Sequence, residues 1–562
     1  MAATPTPSPT PTYDFSAYLD RRSADWYEDD PLLHRLLDRY APGADRGRLA
    51  AFGPRAAGEL RALAETSARP ENAPWIRHRN AYDDRLDELV FPASTLEALR
   101  ISHGDEGLGA VRGDPFVHYA MIYLLAQNGE AGVACSLACT DGLVRALEAA
   151  ADGAHGFETR DLPDPLRSAL DGVLGSSADG YVHGAQFVTE IQGGSDVPAN
   201  TVRAVPDGHA FRIHGQKWFC SNINADWFLV TAKPVQGPAA DGSPADGSPG
   251  EGAAASRAAE TAAGRADAGA LAATPVGLFL VPAFLDGARN GYTIDRLKDK
   301  LGTRALATAE VTFDGARAWP VGPLERGLPN LLRYVLTPSR FACSLFAAST
   351  LRRAERIIGD YAGFREAFGR SIARYPLVQR TMRGVVEARR RSLVVVFELL
   401  RLWEAAEEDG YRGEAALDFR ILLSLAKPVL TRLATEQLHE AMMVLAGNGI
   451  EERFSSLPRL HRDSIIMETW EGPHNVLFTQ ALRDFQKYDL DPAGFLERVT
   501  GGPRPELARD LAAVMAGEAG EAGDRDDGGG HEVDPTVAMA DLAPAIIAAV
   551  ALGRGKERGP EA

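Results

Sequence analysis

Cysteine is scarce, with four residues in 562: Cys135, Cys139, Cys220 and Cys343. That excludes a disulfide scaffold and suits a reducing cytoplasm. Basic charge is also in deficit. Sixty Lys and Arg face 77 Asp and Glu, a formal net charge of −17. A surface of that sign repels phosphate backbones and anionic bilayers, which disfavours DNA and membrane as partners unless a local basic patch overrides the mean. Long apolar runs are missing too. The longest, 393–397 and 543–553, fall short of a bilayer span. The first residues, Met1-Ala-Ala-Thr-Pro-Thr-Pro, have neither the basic start nor the apolar stretch of a secretory leader. What is present is a globular balance, 45% hydrophobic and 24% charged, in a chain long enough for several domains. The expectation is an acidic, cytoplasmic, multidomain protein.

The pattern along the chain changes twice. Residues 1–14 alternate Pro with Thr and Ser, a disordered tail. Residues 15–182 read as an N-terminal helical domain, with Phe116-Val-His-Tyr-Ala-Met-Ile-Tyr-Leu-Leu-Ala apolar at helical spacing. From 183 to 323 short β-type runs take over: 185–189, 201–205, 210–214, 217–221, 227–232, 276–281 and 309–313. Pro206-Asp207-Gly208 and Gly215-Gln216 read as turns between them, so this segment is expected to be a small antiparallel β domain. Within it, 236–274 is almost wholly Ala, Gly, Pro, Ser, Asp and Glu, a disordered insertion between two strands. Residues 324–490 return to long amphipathic helices, 331–368, 377–408 and 414–446, separated at Gly369, Gly410-Tyr-Arg-Gly413 and Gly447-Asn-Gly449. Pro428 is expected to kink the third or mark a join. Together they read as a four-helix-type bundle. Residues 491–562 read as an acidic low-complexity tail with one short helix at 537–552. The fold class is α+β: helical, then β, then helical.

Four constellations carry chemistry. Phe187-Val-Thr-Glu-Ile-Gln-Gly-Gly-Ser-Asp196 takes a strand into a glycine turn, exposing hydroxyls and N–H groups to a ring or a phosphate. Gly215-Gln-Lys-Trp-Phe-Cys-Ser-Asn222 supplies an aromatic ring and another hydroxyl. Arg340 and Arg365 offer planar forks suited to phosphate oxygens or to a subunit interface. Glu468-Thr-Trp-Glu-Gly-Pro-His-Asn475 puts Glu471 beside Trp470, where a desolvated carboxylate gains the basicity needed to remove a proton next to a carbonyl. Taken singly, each is also met as ordinary turn, strand or surface.

In this order along a helix–β–helix chain, the four resemble the acyl-CoA dehydrogenase family over residues 80–488, and within it the AidB-type adaptive-response branch. Arg79-Asn-Ala-Tyr-Asp-Asp-Arg-Leu-Asp-Glu-Leu-Val-Phe, Arg296-Leu-Lys-Asp-Lys-Leu-Gly-Thr-Arg304 and Leu457-Pro-Arg-Leu carry the likeness to the branch. The resemblance implies one FAD per subunit between the β domain and the bundle. It implies Val188 and Thr189 at the flavin edge, Phe219 flanking the ring and Ser221 near N5. Asn475 would contact the flavin, Arg365 the diphosphate of a neighbouring subunit's FAD, and Gly447, Asn448 and Gly449 the adenosine portion. Ser195 and Arg340 match positions that approach an acyl-CoA thioester, and Glu471 matches the catalytic base. A homotetramer is implied, with an electron-transfer flavoprotein or oxygen as acceptor.

Some residues depart from the family pattern. Pro473 stands where a small or hydroxyl residue is usual, and Thr337 where a carboxylate is common. Two alternatives share the fold: an AidB-like stress flavoprotein that binds DNA or detoxifies alkylating agents, and a flavin-dependent oxygenase. The acid cluster Glu518, Glu521, Asp524, Asp526 and Asp527 opposes the DNA role. No metal site is expected: Cys135 and Cys139 read as small core residues. His461-Arg-Asp463 lacks every other part of a kinase, and Arg389-Arg-Arg391 reads as a solvated stripe or a subunit contact.

Overall fold

The computed structural model describes residues 14–154, 157, 162–235, 271, 273–517 and 534–555. Most of the 1–14 tail and of the 236–274 insertion, both expected to be disordered, and of the 517–530 spacer therefore lies outside the described residues.

The N-terminal region is mainly helical, but it holds a hairpin that the helical reading missed. Strands β1 (Trp75–Arg79) and β2 (Arg85–Val90) pair antiparallel, and Asp87 is their one fully buried residue. The central region is one seven-stranded sheet. Its members are β3 (Gly184–Phe187), β4 (Arg203–Asp207), β5 (Ala210–Ser221), β6 (Trp227–Pro234), β7 (Gly277–Pro282), and, after a small ribbon of β8 (Phe284–Leu285) and β9 (Ala288–Arg289), β10 (Tyr292–Leu297) and β11 (Thr308–Pro320). The order β10-β11-β5-β4-β6-β3 is supplemented by β7, which pairs with both β6 and β11. Strands β11, β5, β4, β6 and β7 thus close a ring around Phe187, Ile213, Phe228, Phe279 and Val311. The sheet is not wholly antiparallel, because β3 and β4 both run parallel to β6. Gly215-Gln216 is no turn but lies within β5. Gly215 has φ +125°, and a Cβ there would meet Val202 at 3.0 Å, so the glycine lets β5 curve past its neighbour. Strands β6 and β7 are immediate neighbours, Ala232 opposite Gly277, so the segment between them leaves and returns at one corner.

The C-terminal region contains helices Thr337–Phe364, Pro376–Glu408, Glu414–Leu445, Leu457–Thr469 and His474–Lys487. Helix Glu414–Leu445 runs unbroken through Pro428. The tail reading of 491–562 needs correction. Helices Pro492–Thr500, Pro505–Ala516 and Pro535–Arg554 pack onto the bundle, and Phe495, Leu511, Met539, Ile547 and Val550 belong to the largest core. Pro535–Arg554 is long and apolar enough by composition to cross a membrane, yet it spends its apolar face on that core. The Arg389–Arg391 triplet is no uniform stripe either. Arg389 is buried and binds Asp30, which also accepts from the Tyr123 hydroxyl at 3.0 Å, pairs with Arg352 and caps helix Pro31–Tyr40. Burial alone would raise the Asp30 carboxyl; Arg389 and Arg352 overcome it and hold it low.

A buried polar chain joins helix Ala134–Ala151 to the sheet. His103 Nε2 lies 2.8 Å from Ser136 Oγ, and that oxygen lies 3.0 Å from Nδ1 of His183, just before β3. The backbone N–H of His183 donates to Asp226 at 2.9 Å. Burial pushes both imidazoles below the ordinary histidine value; His183 adds to the effect on His103, while Asp226 opposes it on His183. A depressed histidine contributes stability above its unfolded pKa, about 6.5, and loses it as pH falls further. The thermal midpoint should therefore drop with increasing steepness below that pH, and His103→Gln should make the descent shallower. An unchanged slope in the variant would show that His103 already takes a proton in the folded state.

Candidate active site

The first constellation leaves β3 as a loop, and two glycines shape it. Gly193 (φ +150°) closes a turn in which its N–H donates to the Glu190 carbonyl at 3.0 Å. A Cβ on Gly194 would stand 2.5 Å from Thr189 Oγ1, so only glycine leaves room for that hydroxyl. The loop is anchored by an ion pair with neither side chain exposed, Lys217 Nζ to Glu190 Oε1 at 2.9 Å. Lys217 also donates to the Val188 carbonyl at 3.1 Å and to Thr231 Oγ1 at 2.9 Å. Glu190 accepts from the N–H groups of Thr201 and Val202. Burial drives the lysine down, and Glu190 pulls back toward the charged form. The Trp218 N–H donates to the Thr189 carbonyl at 2.9 Å, bringing the second constellation alongside the first.

A bulge aims that second constellation. Lys217 stands opposite Val311 and Cys220 opposite Ala309, so Trp218 and Phe219 together face the single residue Glu310. The extra residue breaks the alternation. Lys217 and Cys220 enter the core, whereas Phe219 stays 51% exposed and lines a cavity with Ser221. Ser221 Oγ lies 3.0 Å from Thr308 Oγ1, which accepts from Lys300 Nζ at 2.8 Å. Burial pushes Lys300 down to about 8, against the opposing charge of Glu130.

Across the cavity, Glu471 sits between helices Leu457–Thr469 and His474–Lys487 with φ +55°, followed by Gly472 at φ +104°. Its Oε1 accepts from Gln186 Nε2 at 3.0 Å, and its carbonyl accepts from Arg340 Nε at 2.9 Å. Burial raises the carboxyl above the usual carboxylate value, while Arg340, Lys427 and the Gln186 hydrogen bond pull the other way.

The cavity measures about 1170 Å³, and its wall includes Val188, Thr189, Ser195, Phe219, Ser221, Arg340, Glu471 and Asn475. Arg365, Gly447 and Asn448 do not join them. They line a second cavity of about 440 Å³ with Tyr361 and Phe368. Gly449 lines neither; a Cβ there would lie 2.0 Å from the Met442 carbonyl, so it serves close packing. Cys135 and Cys139, expected as plain core, are buried and also form part of the main wall, sulfur to sulfur 3.8 Å. Sequence reasoning missed Gln186, Lys300 and Thr308. Lys300 lies inside the quoted 296–304 segment, whereas Thr308 is placed only by its register opposite Ser221.

A third cavity of about 570 Å³ shares Leu332, Arg340, Arg420 and Gln480 with the main one. Its remaining wall holds Arg326, Arg333 and Arg412 around Leu417, Phe419 and Leu423. Arg420 is held by Asp484 at 2.7 Å, and Arg333 lies over the Tyr411 ring at 4.8 Å.

Comparison with known proteins gives the same outline. Residues 325–485 match the family model for the acyl-CoA dehydrogenase C-terminal domain, and residues 19–162 match that for the adaptive response protein AidB N-terminal domain. The chain is 30% identical to acyl-CoA dehydrogenase family member 11 of Caenorhabditis elegans over 490 residues, covering 84% of this chain and 72% of that protein. It is 30% identical to AidB of Escherichia coli (strain K12) over 499 residues, 86% of this chain and 83% of that one. Among solved structures, C. elegans ACDH-11 in complex with C11-CoA matches with a TM-score of 0.75 at 24% identity, covering 97% of this chain and 89% of that one.

The anchor of the Val188–Thr189 loop can be tested directly. Lys217→Met leaves the Glu190 carboxylate buried without its counter-charge and should cost about 3–5 kcal/mol in chemical denaturation. Adding Glu190→Leu should recover part of the loss. A single variant as stable as the parent would show that the pair does not hold the loop.

Proposed function

Because the chain belongs to the acyl-CoA dehydrogenase family, oxidoreductases acting on CH–CH groups, we propose that it removes the α-proton and β-hydride of an acyl thioester with FAD. The observation that carries this reading is Glu471, a carboxylate made more basic by burial on the wall of a mainly apolar cavity. The wall fits a flavin. Gln186 Oε1 is buried without a hydrogen-bond partner, hydroxyls of Thr189, Ser221 and Thr308 line the same space, and Phe219 offers a half-exposed ring. Val188, Thr189, Phe219, Ser221 and Asn475 would hold the ring system. Arg365, Gly447 and Asn448 in the second cavity, with Gly449 closing the turn behind them, would serve the diphosphate and adenosine of a neighbouring subunit's FAD in a homotetramer. When bound, FAD supplies the hydride acceptor.

The residues of the chain do the rest. A Glu471 carboxylate oxygen accepts the α-proton. Arg340 and Lys427 keep the group ionisable despite its burial. Leu328, Leu332, Leu336 and Trp470 exclude water from the reacting carbon. Ser195 and Arg340 line the thioester's approach. The adjoining chamber, with Arg326, Arg333, Arg412 and Arg420, suits the phosphates of CoA. The C11-CoA in the C. elegans structure supports that ligand class. Electrons would pass on to an electron-transfer flavoprotein or to oxygen, and the four unpaired cysteines suit a cytoplasmic setting.

Anaerobic bleaching of the flavin absorbance by a panel of acyl-CoAs tests this. Glu471→Gln should keep the yellow colour and slow bleaching about 10²–10⁴-fold. Arg412→Gln should weaken saturation by acyl-CoA while leaving the phosphate-free acyl-pantetheine unaffected. Bleaching of the Glu471→Gln protein at the parent rate would move the proton acceptor elsewhere.

A further inference from the structure

The turn that presents Glu471 is held from behind by a lysine. Lys427 has no exposed surface and lies in the middle of helix Glu414–Leu445, before Pro428. Its Nζ donates to the carbonyl of Glu468 at 2.8 Å and to that of Gly472 at 2.9 Å. Those carbonyls flank Trp470-Glu471, and Arg340 holds the carbonyl between them. The backbone so gripped needs gripping: Glu471 is a non-glycine residue in the left-handed region, a conformation that persists only where its surroundings over-determine it.

Two carbonyls could be satisfied by any neutral donor, whereas a buried ammonium needs a counter-charge. The groups facing Lys427 come from three sides. Cys343 and Arg340 lie on helix Thr337–Phe364, Glu468 ends helix Leu457–Thr469, and Glu471 with His474 follows it. Glu468 is already engaged by Arg432 at 2.9 Å. Burial pushes the amine down to about 8, while Cys343 and Glu471 draw it back toward the charged form.

We propose that Lys427 is the positioning residue of this site: its buried ammonium ties the carbonyls on both sides of the Glu471 turn and sets a positive charge behind that carboxylate. The inference rests on the reading of Glu471 as proton acceptor, and it adds a residue from helix Glu414–Leu445, which also engages Glu468 through Arg432. Removing the charge should make Glu471 harder to ionise. The rise of rate with pH should then move to higher pH, because the carboxylate is the working form.

The experiment uses FAD-loaded full-length protein. In Lys427→Met, the acid limb of anaerobic flavin bleaching should shift upward by about one pH unit, and the plateau should fall about tenfold or more as the turn loosens. Amide hydrogen exchange at 470–472 should accelerate, while exchange in the rest of helix Glu414–Leu445 stays near the parent. Lys427→Gln keeps a donor without the charge. It should reproduce the pH shift with a smaller change in exchange, and it decides the question if the Met variant does not fold. A Lys427→Met protein with the parent's acid limb and the parent's exchange at 470–472 overturns the proposal. If Glu471→Gln bleaches normally, the proton-acceptor reading fails by itself, and unchanged exchange at 470–472 remains the separate result that sinks the clamp.

Discussion

Two charges that never reach water, Lys217 and Glu190, set the floor of the site. Taking both out of solvent is costly, and their attraction offsets that only because nearly every lone pair and proton is used. The lysine reaches the Val188 carbonyl and Thr231, and the carboxylate collects N–H groups from Thr201 and Val202. The interaction therefore fastens the end of β3 and the start of β4 to the middle of β5 and β6. Val188 and Thr189 hang from that knot, and the bulge that turns Phe219 outward begins at the residue after Lys217. Remove the knot and four strands lose their common reference.

Opposite it, the constraint has another character. Glu471 is presented by backbone in an unfavourable conformation, gripped through carbonyls rather than through its side chain. One wall is a rigid sheet edge with an internal ion pair; the other is a tensioned loop between two helices. A cavity built from such unlike halves can keep one reactive group fixed while tolerating different neighbours around it.

Much of this was legible in the sequence, for identifiable reasons. The long helices announce themselves by apolar periodicity, and Glu471 by its aromatic and glycine neighbours. The β1–β2 hairpin stayed hidden because its one fully buried side chain is Asp87 and its exposed positions include Trp75 and Leu86, so the apolar alternation that marks a strand never develops in the sequence. The helices after 491 were obscured by the acidic, glycine-rich stretch among them, which dominates local composition although Phe495, Leu511 and Ile547 sit in the main core. Thr308 could not be read at all, since strand register, not spacing, puts it beside Ser221, and Lys300, although inside the 296–304 segment, reaches Ser221 only through Thr308. Net charge is silent in a different way: −17 describes the average surface and says nothing of a chamber with five arginines.

The corner between β6 and β7 has a consequence for the evolution of the chain. Because Ala232 and Gly277 face each other across one strand pair, the sheet closes identically whatever length of polypeptide runs between them. Loop entropy grows only with the logarithm of that length, so drift there meets little selection from folding. The junction is a splice point, a place where a lineage or an engineer can graft a whole folded module without disturbing the ring of strands beneath it.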